Sequence, residues 1–204
     1  MIQTTTPPIQ RRLARLITEV FAPSPLAVVA ITVVAIHASH SAGDALKWAV
    51  LGSIFAPLLP LLHLVRKVRR GEVTDIHVRE RTQRPPIILA FLVSGIAAFV
   101  VLGKLGAPRE MLALIGSAVV ACTVALTITM WWKISIHVGV VAGIITVFVL
   151  LFGPVALLLV PLVPLVAWAR VAVGDHTPLQ TIVGALIGAG TSGLAFALVM
   201  TLLG

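Results

Sequence analysis

The length of its apolar runs constrains this chain more than any other feature. A helix needs about 20 residues to cross a bilayer's hydrocarbon core, with a range of about 17–25. Broken at charges, glycines and prolines, the chain offers seven such stretches, roughly 23–40, 45–65, 86–105, 110–132, 136–152, 155–170 and 178–203. Hydrophobic residues make up 59% of its 204 residues and charged residues 11%. Soluble domains average about 45–50% apolar and about 25% charged. A chain this short cannot hide the excess in a single core. Membrane barrels use alternating segments of about 10 residues, much shorter than these runs. The sequence therefore predicts an all-α, polytopic transmembrane helix bundle of six to seven spans. The fifth and sixth stretches share the break Gly153-Pro154, and read either as one bent hairpin or as a full span beside a shorter one. Residues 1–22 form a basic amphipathic segment suited to a membrane surface, and residues 23–204 a single transmembrane domain. Arg11, Arg12 and Arg15 precede the run from Leu26 to Ile36 in the charge order of a signal peptide. No clear small-x-small cleavage site follows, so that run reads as a span.

The net charge of +8 invites a nucleic-acid reading, but the cations sit in short blocks between apolar spans. Such blocks set topology and meet anionic lipid headgroups. Alternating spans put Arg11, Arg12, Arg15, Arg66, Lys67, Arg69, Arg70, Arg79, Arg81, Arg84, Lys133 and Arg170 on the side of the N-terminus, and only Lys47, Lys104 and Arg109 on the other. Twelve against three makes the first side cytoplasmic by the positive-inside rule. The expectation is a multi-pass protein of the cell inner membrane, in contact with membrane lipids and not with nucleic acid. The single cysteine, Cys122, provides neither a disulfide framework nor a metal framework.

Three polar clusters interrupt the apolar chain, all on the basic side. The first runs from Asp75 through His77 to Arg84-Pro85-Pro86, the second from Lys133 through Ser135 to His137, and the third from Arg170 through Asp175-His176-Thr177-Pro178 to Gln180. Each opens a helix. Prolines suit a first helical turn, Ser135 is a candidate N-cap, and Thr177-Pro178 reads as N-cap followed by N1. Helix N-termini carry partial positive charge and free N–H donors. Three such ends with Arg84, Lys133 and Arg170 make an anion pocket matched to phosphate. Two histidines stand beside it. His176 is placed to attack phosphorus, and His137 to protonate the leaving oxygen and then deprotonate water. The cations would stabilise the equatorial oxygens, so the chemistry calls for no metal and no cofactor.

The clusters resemble the motifs of the type 2 phosphatidic acid phosphatase family, membrane relatives of the vanadium haloperoxidases. That pattern is Lys-x6-Arg-Pro, then Pro-Ser-Gly-His, then Ser-Arg-x5-His-x3-Asp. Arg84-Pro85 matches the end of the first motif, with His77 at the Lys position. Ser135 and His137 match the second, with Ile134 and Ile136 in place of Pro and Gly. Arg170-x5-His176 matches the third, with Ala169 for Ser and Gln180 for Asp. The resemblance covers about residues 77–204. It implies a core of that family's type and a lipid phosphatase working through a phosphohistidine on a lipid or polyprenyl phosphate. His176, His137 and Gln180 would then be catalytic, with Arg84, Arg170, Lys133, Ser135 and His77 holding the phosphate. The departures have consequences. Gln180 accepts a hydrogen bond but supplies no charge, and loss of that charge costs orders of magnitude in related catalytic dyads. Ile136 adds bulk where the family keeps a glycine.

Other readings stand beside this one. A non-catalytic relative would bind or transport lipid phosphates with the same pocket. Thr177-Pro-Leu-Gln180 is also a capping box, so Gln180 has a structural role available to it. Arg66, Lys67, Arg69 and Arg70 read as a headgroup-binding loop. His37 and His40 lie three apart on a helix, but the pair reads as no metal site. Gly184 and Gly188 form a GxxxG face for close helix packing, within one chain or between chains of a homo-oligomer. A channel or ion-coupled transporter finds little support, because no acidic residue falls in mid-span.

Overall fold

The computed structural model describes residues 7–204, and these are helical with no strand. Helix α1 (Pro8–Val20) opens on proline and carries the three N-terminal arginines. Helix α2 (Pro23–Ala38) follows at a bend of 46°. Helix α3 (Ala42–Ser53) starts at the Ser41 cap, whose hydroxyl accepts the Asp44 N–H. It passes through a wide π turn, Ile54–Leu58, into α4 (Leu59–Arg69). Pro57 lies inside that turn; its missing N–H and its ring are what break the regular ladder. The Ser94 hydroxyl donates to the Phe55 carbonyl there, giving the wide turn a partner from a neighbouring helix. Helices α5 (Arg84–Lys104) and α6 (Arg109–Thr129) form an antiparallel pair. Helix α7 (Ile136–Phe152) runs on into 3-10 turns over Gly153–Leu159. Helix α8 (Leu162–Ala172) is short, and α9 (Pro178–Leu202) is the longest single α-helix.

Five of these segments are long and apolar enough to cross a membrane: 42–69, 81–104, 109–129, 136–159 and 178–202. The bent pair α1–α2 makes a sixth if it counts as one span. Of the two forms expected for the fifth and sixth stretches, the second is seen: a segment long and apolar enough to span, 136–159, beside a shorter helix. Gly153 sits at φ 73°, and Pro154, Pro161 and Pro164 each withdraw a backbone donor. What remains helical is α8, 11 residues, about 16 Å long at 1.5 Å per residue and too short to span alone.

Exposed apolar stripes mark the outer surface. On α5 they are Leu89, Val93, Ile96 and Val100, and on α9 Leu179, Ile182, Leu186, Leu194, Leu198 and Leu202. Their three- and four-residue spacing is that of one helix face. Inside, Val34, Leu102, Met111, Ile115 and Val147 form the centre of the main core. A second core of Val138, Val141, Ile145 and Val166 takes in Ile17 and Phe21, and so fixes α1 against α7 and α8. Helices α7 and α9 meet backbone to backbone. A Cβ on Gly188 would collide with the Gly139 carbonyl, and one on Gly184 would lie 2.6 Å from the Ser135 carbonyl oxygen. The GxxxG face is therefore filled within the chain. The close approach brings the start of α7 beside the start of α9, with the Ser135 N–H donating to the Gln180 carbonyl at 3.1 Å.

Candidate functional site

The loops that carry the three clusters lie at one end of the bundle and are tied together there. Arg84, in the first turn of α5, is 4% exposed. Its Nε donates to the Val78 carbonyl at 2.8 Å and its Nη1 to the Ile134 carbonyl at 2.9 Å. One guanidinium thus pins the first cluster's loop to the second cluster. Val78 is held at φ 47°, an uncommon left-handed setting for a β-branched residue, with its side chain buried against Leu64, Val73 and Ile87. Arg81 donates to the carbonyls of Thr129 and Met130 at 3.0 and 2.6 Å, satisfying acceptors that the end of α6 leaves open.

The third cluster is ordered by its own capping box. The Thr177 hydroxyl accepts the Gln180 N–H, and the Gln180 amide oxygen accepts the Thr177 N–H at 3.1 Å. The same amide oxygen lies 3.1 Å from His176 Nδ1. A neutral His176 that donates from Nδ1 presents a bare Nε2 lone pair. Burial pushes the His176 pKa down to about 3; the charges of Arg84, Arg170 and Lys133 press the same way, and the Gln180 bond opposes them. Lys133 itself is pushed down, first by burial and then by Arg84. The four groups therefore share one electrostatic environment.

Five of the expected residues, His77, Arg84, Ser135, His137 and His176, wall a single cavity of about 560 Å³. His137 is buried and its Nε2 has no partner within the protein. Ser135 occupies the N-cap position of α7, yet its hydroxyl makes no cap bond and is likewise buried and unpartnered. The His77 and His137 rings stand 5.4 Å apart. The other three expected residues stand behind this wall. Gln180 backs His176. Arg170, 1% exposed, is held by Asp175 at 2.8 Å, with its Nε and Nη1 unpartnered. Lys133 is half-buried and acts on the site by charge.

Three contributors were not expected. Asp175 does not turn to its neighbour His176; its carboxylate bridges Arg170 and Arg79, the latter at 3.0 Å. Arg79 closes that bridge from the first cluster. Glu19, near the end of α1, lies 2.8 Å from His77 Nε2. Glu19 is the only acidic residue in segment 1–22, and a single carboxylate among arginines was the available signal. Among the described residues, no three His, Cys, Asp or Glu side chains gather as a metal centre. Comparison with family models, with curated proteins and with solved structures returns no match.

Proposed function

We propose that the chain is a membrane lipid phosphatase that hydrolyses a lipid or polyprenyl phosphate through a phosphohistidine. One observation carries the reading. Two buried imidazoles and a buried guanidinium wall the same cavity, and His176 is fixed by Gln180 with Nε2 as its free nitrogen. In the first step Nε2 of His176 attacks phosphorus, the bond from phosphorus to the lipid oxygen breaks, and His137 delivers a proton to that oxygen. In the second step His137 takes a proton from water as the water oxygen attacks the phosphohistidine. Inorganic phosphate leaves and His176 is regenerated. Arg84, on the cavity wall, keeps donors beyond the two it gives to carbonyls, and Arg170 adds its charge from behind the wall. Those donors and that charge suit the equatorial oxygens of the transferring phosphoryl group. In this reading the site end faces the cytoplasm, in line with the excess of cations there.

The test is phosphate release from prenyl and diacyl phosphates by detergent-purified protein in EDTA. His176→Ala should abolish it; release by that variant at the wild-type rate refutes the assignment. One observation favours a second reading, a protein that binds lipid phosphates without cleaving them. Gln180 brings no charge, and its amide oxygen is shared between His176 and the helix cap. That reading predicts vanadate binding without turnover, in Gln180→Asp as in the wild type.

A further inference from the structure

The cavity does not end at the imidazoles. From the polar end it continues between α2, α4, α5, α6, α7 and α9, and away from His77, Arg84 and the two histidines its walls are almost wholly apolar. Along α6 it is lined from Ala125 up to Leu114, and along α7 from Ile136 to Val147. Each stretch covers eleven residue steps, about 17 Å at 1.5 Å per residue. Ala118, Ala121 and Ala125 of α6 line the cavity with small side chains. Phosphate chemistry alone has no use for an apolar shaft of this depth. Its volume of about 560 Å³ falls in the range of about 300–1,000 Å³ that encloses one ligand-sized molecule. A cavity of that size suits one apolar chain better than two.

Resting on the phosphatase reading, we infer that the substrate is a single-chain lipid phosphate, of the polyisoprenoid or alkyl phosphate class, whose one apolar chain enters this shaft while its phosphate meets His176. A diacyl lipid has two chains for one shaft and is the poorer substrate.

Two measurements test this. The first compares farnesyl phosphate, dioleoyl phosphatidic acid and p-nitrophenyl phosphate, which has no chain. Farnesyl phosphate should exceed the diacyl lipid at least tenfold in kcat/KM. Ala121→Phe should lower the ratio of farnesyl to p-nitrophenyl phosphate kcat/KM at least tenfold, because it fills the shaft away from the phosphate end. An unchanged ratio, or equal use of the one- and two-chain lipids, overturns the inference while leaving the phosphatase standing. The second needs no turnover and no substitution. Cys122, the single cysteine, is a free thiol on the shaft wall. Farnesyl phosphate should slow its alkylation by a membrane-soluble maleimide at least fivefold, and inorganic vanadate should not. Equal rates with and without farnesyl phosphate overturn the inference, whether Ala121→Phe folds or not. Protection of Cys122 in a protein that releases no phosphate supports the chain site and removes the phosphatase.

Discussion

At the scale of single residues, the proposed chemistry depends on keeping His176 neutral and aimed. Its pKa of about 3 leaves Nε2 available throughout the physiological range. The same shift links pH to stability. Between about 3 and the ordinary 6.5, the unfolded chain binds a proton that the folded chain does not, so stability falls as pH drops through that window. The thermal midpoint in detergent should decline from pH 7 to pH 4, and His176→Gln should flatten the decline; an equally steep fall in that variant argues against the assignment. Gln180→Glu keeps the length of the side chain and adds the missing charge. It should favour imidazolium at His176 as the nucleophile reacts and raise kcat severalfold, measured with p-nitrophenyl phosphate. Glu19 holds His77 from an exposed position, where such pairs are worth up to about 1 kcal/mol. Glu19→Gln should therefore raise KM by no more than about fivefold with little change in kcat.

At the scale of elements, the contact between α7 and α9 positions the second and third clusters. Gly188 lies against the Gly139 carbonyl, while a Cβ on Gly190, two residues on, would meet nothing within 4 Å. Gly188→Ala should lower the thermal midpoint and the activity together. Gly190→Ala should leave the packing intact and gain helix propensity, up to about 1 kcal/mol. Equal behaviour of the two variants, read by thermal denaturation, would show that the close approach is not what fixes the site. The helix starts were legible in the sequence because their chemistry is local: Pro85 and Pro86 in a first turn, and Thr177 through Gln180 as a reciprocal cap. The fate of 155–170 was less legible. Its hydropathy is that of a span, but closely spaced prolines after Gly153 turn the chain into 3-10 geometry and leave α8 short. The position of Ser135 predicts a cap, but its hydroxyl makes no cap bond and stays free beside the cavity.

At the scale of the whole molecule, distant stretches of chain converge at one end. Spacing and charge side made that much readable, since each cluster precedes a helix on the same face. Who partners whom was not readable. Asp175 chooses Arg170 and Arg79 over its neighbour His176, and Glu19 reaches His77 across 58 positions, because those pairings exist only once α1, the first loop and α8 are packed. The membrane orientation also belongs to this scale. With Cys122→Ser as background, Glu80→Cys should react with an impermeant maleimide only from the cytoplasmic side and Lys104→Cys only from the other; the reverse pattern would invert the proposed topology.

The most direct test of the account is the covalent intermediate. Wild-type protein mixed with a lipid phosphate carrying labelled phosphorus and quenched within milliseconds should hold label that is stable to base and lost in acid, and His176→Ala should hold none. Release of inorganic phosphate with no labelled protein at any quench time, or equal labelling of the His176→Ala variant, would contradict it.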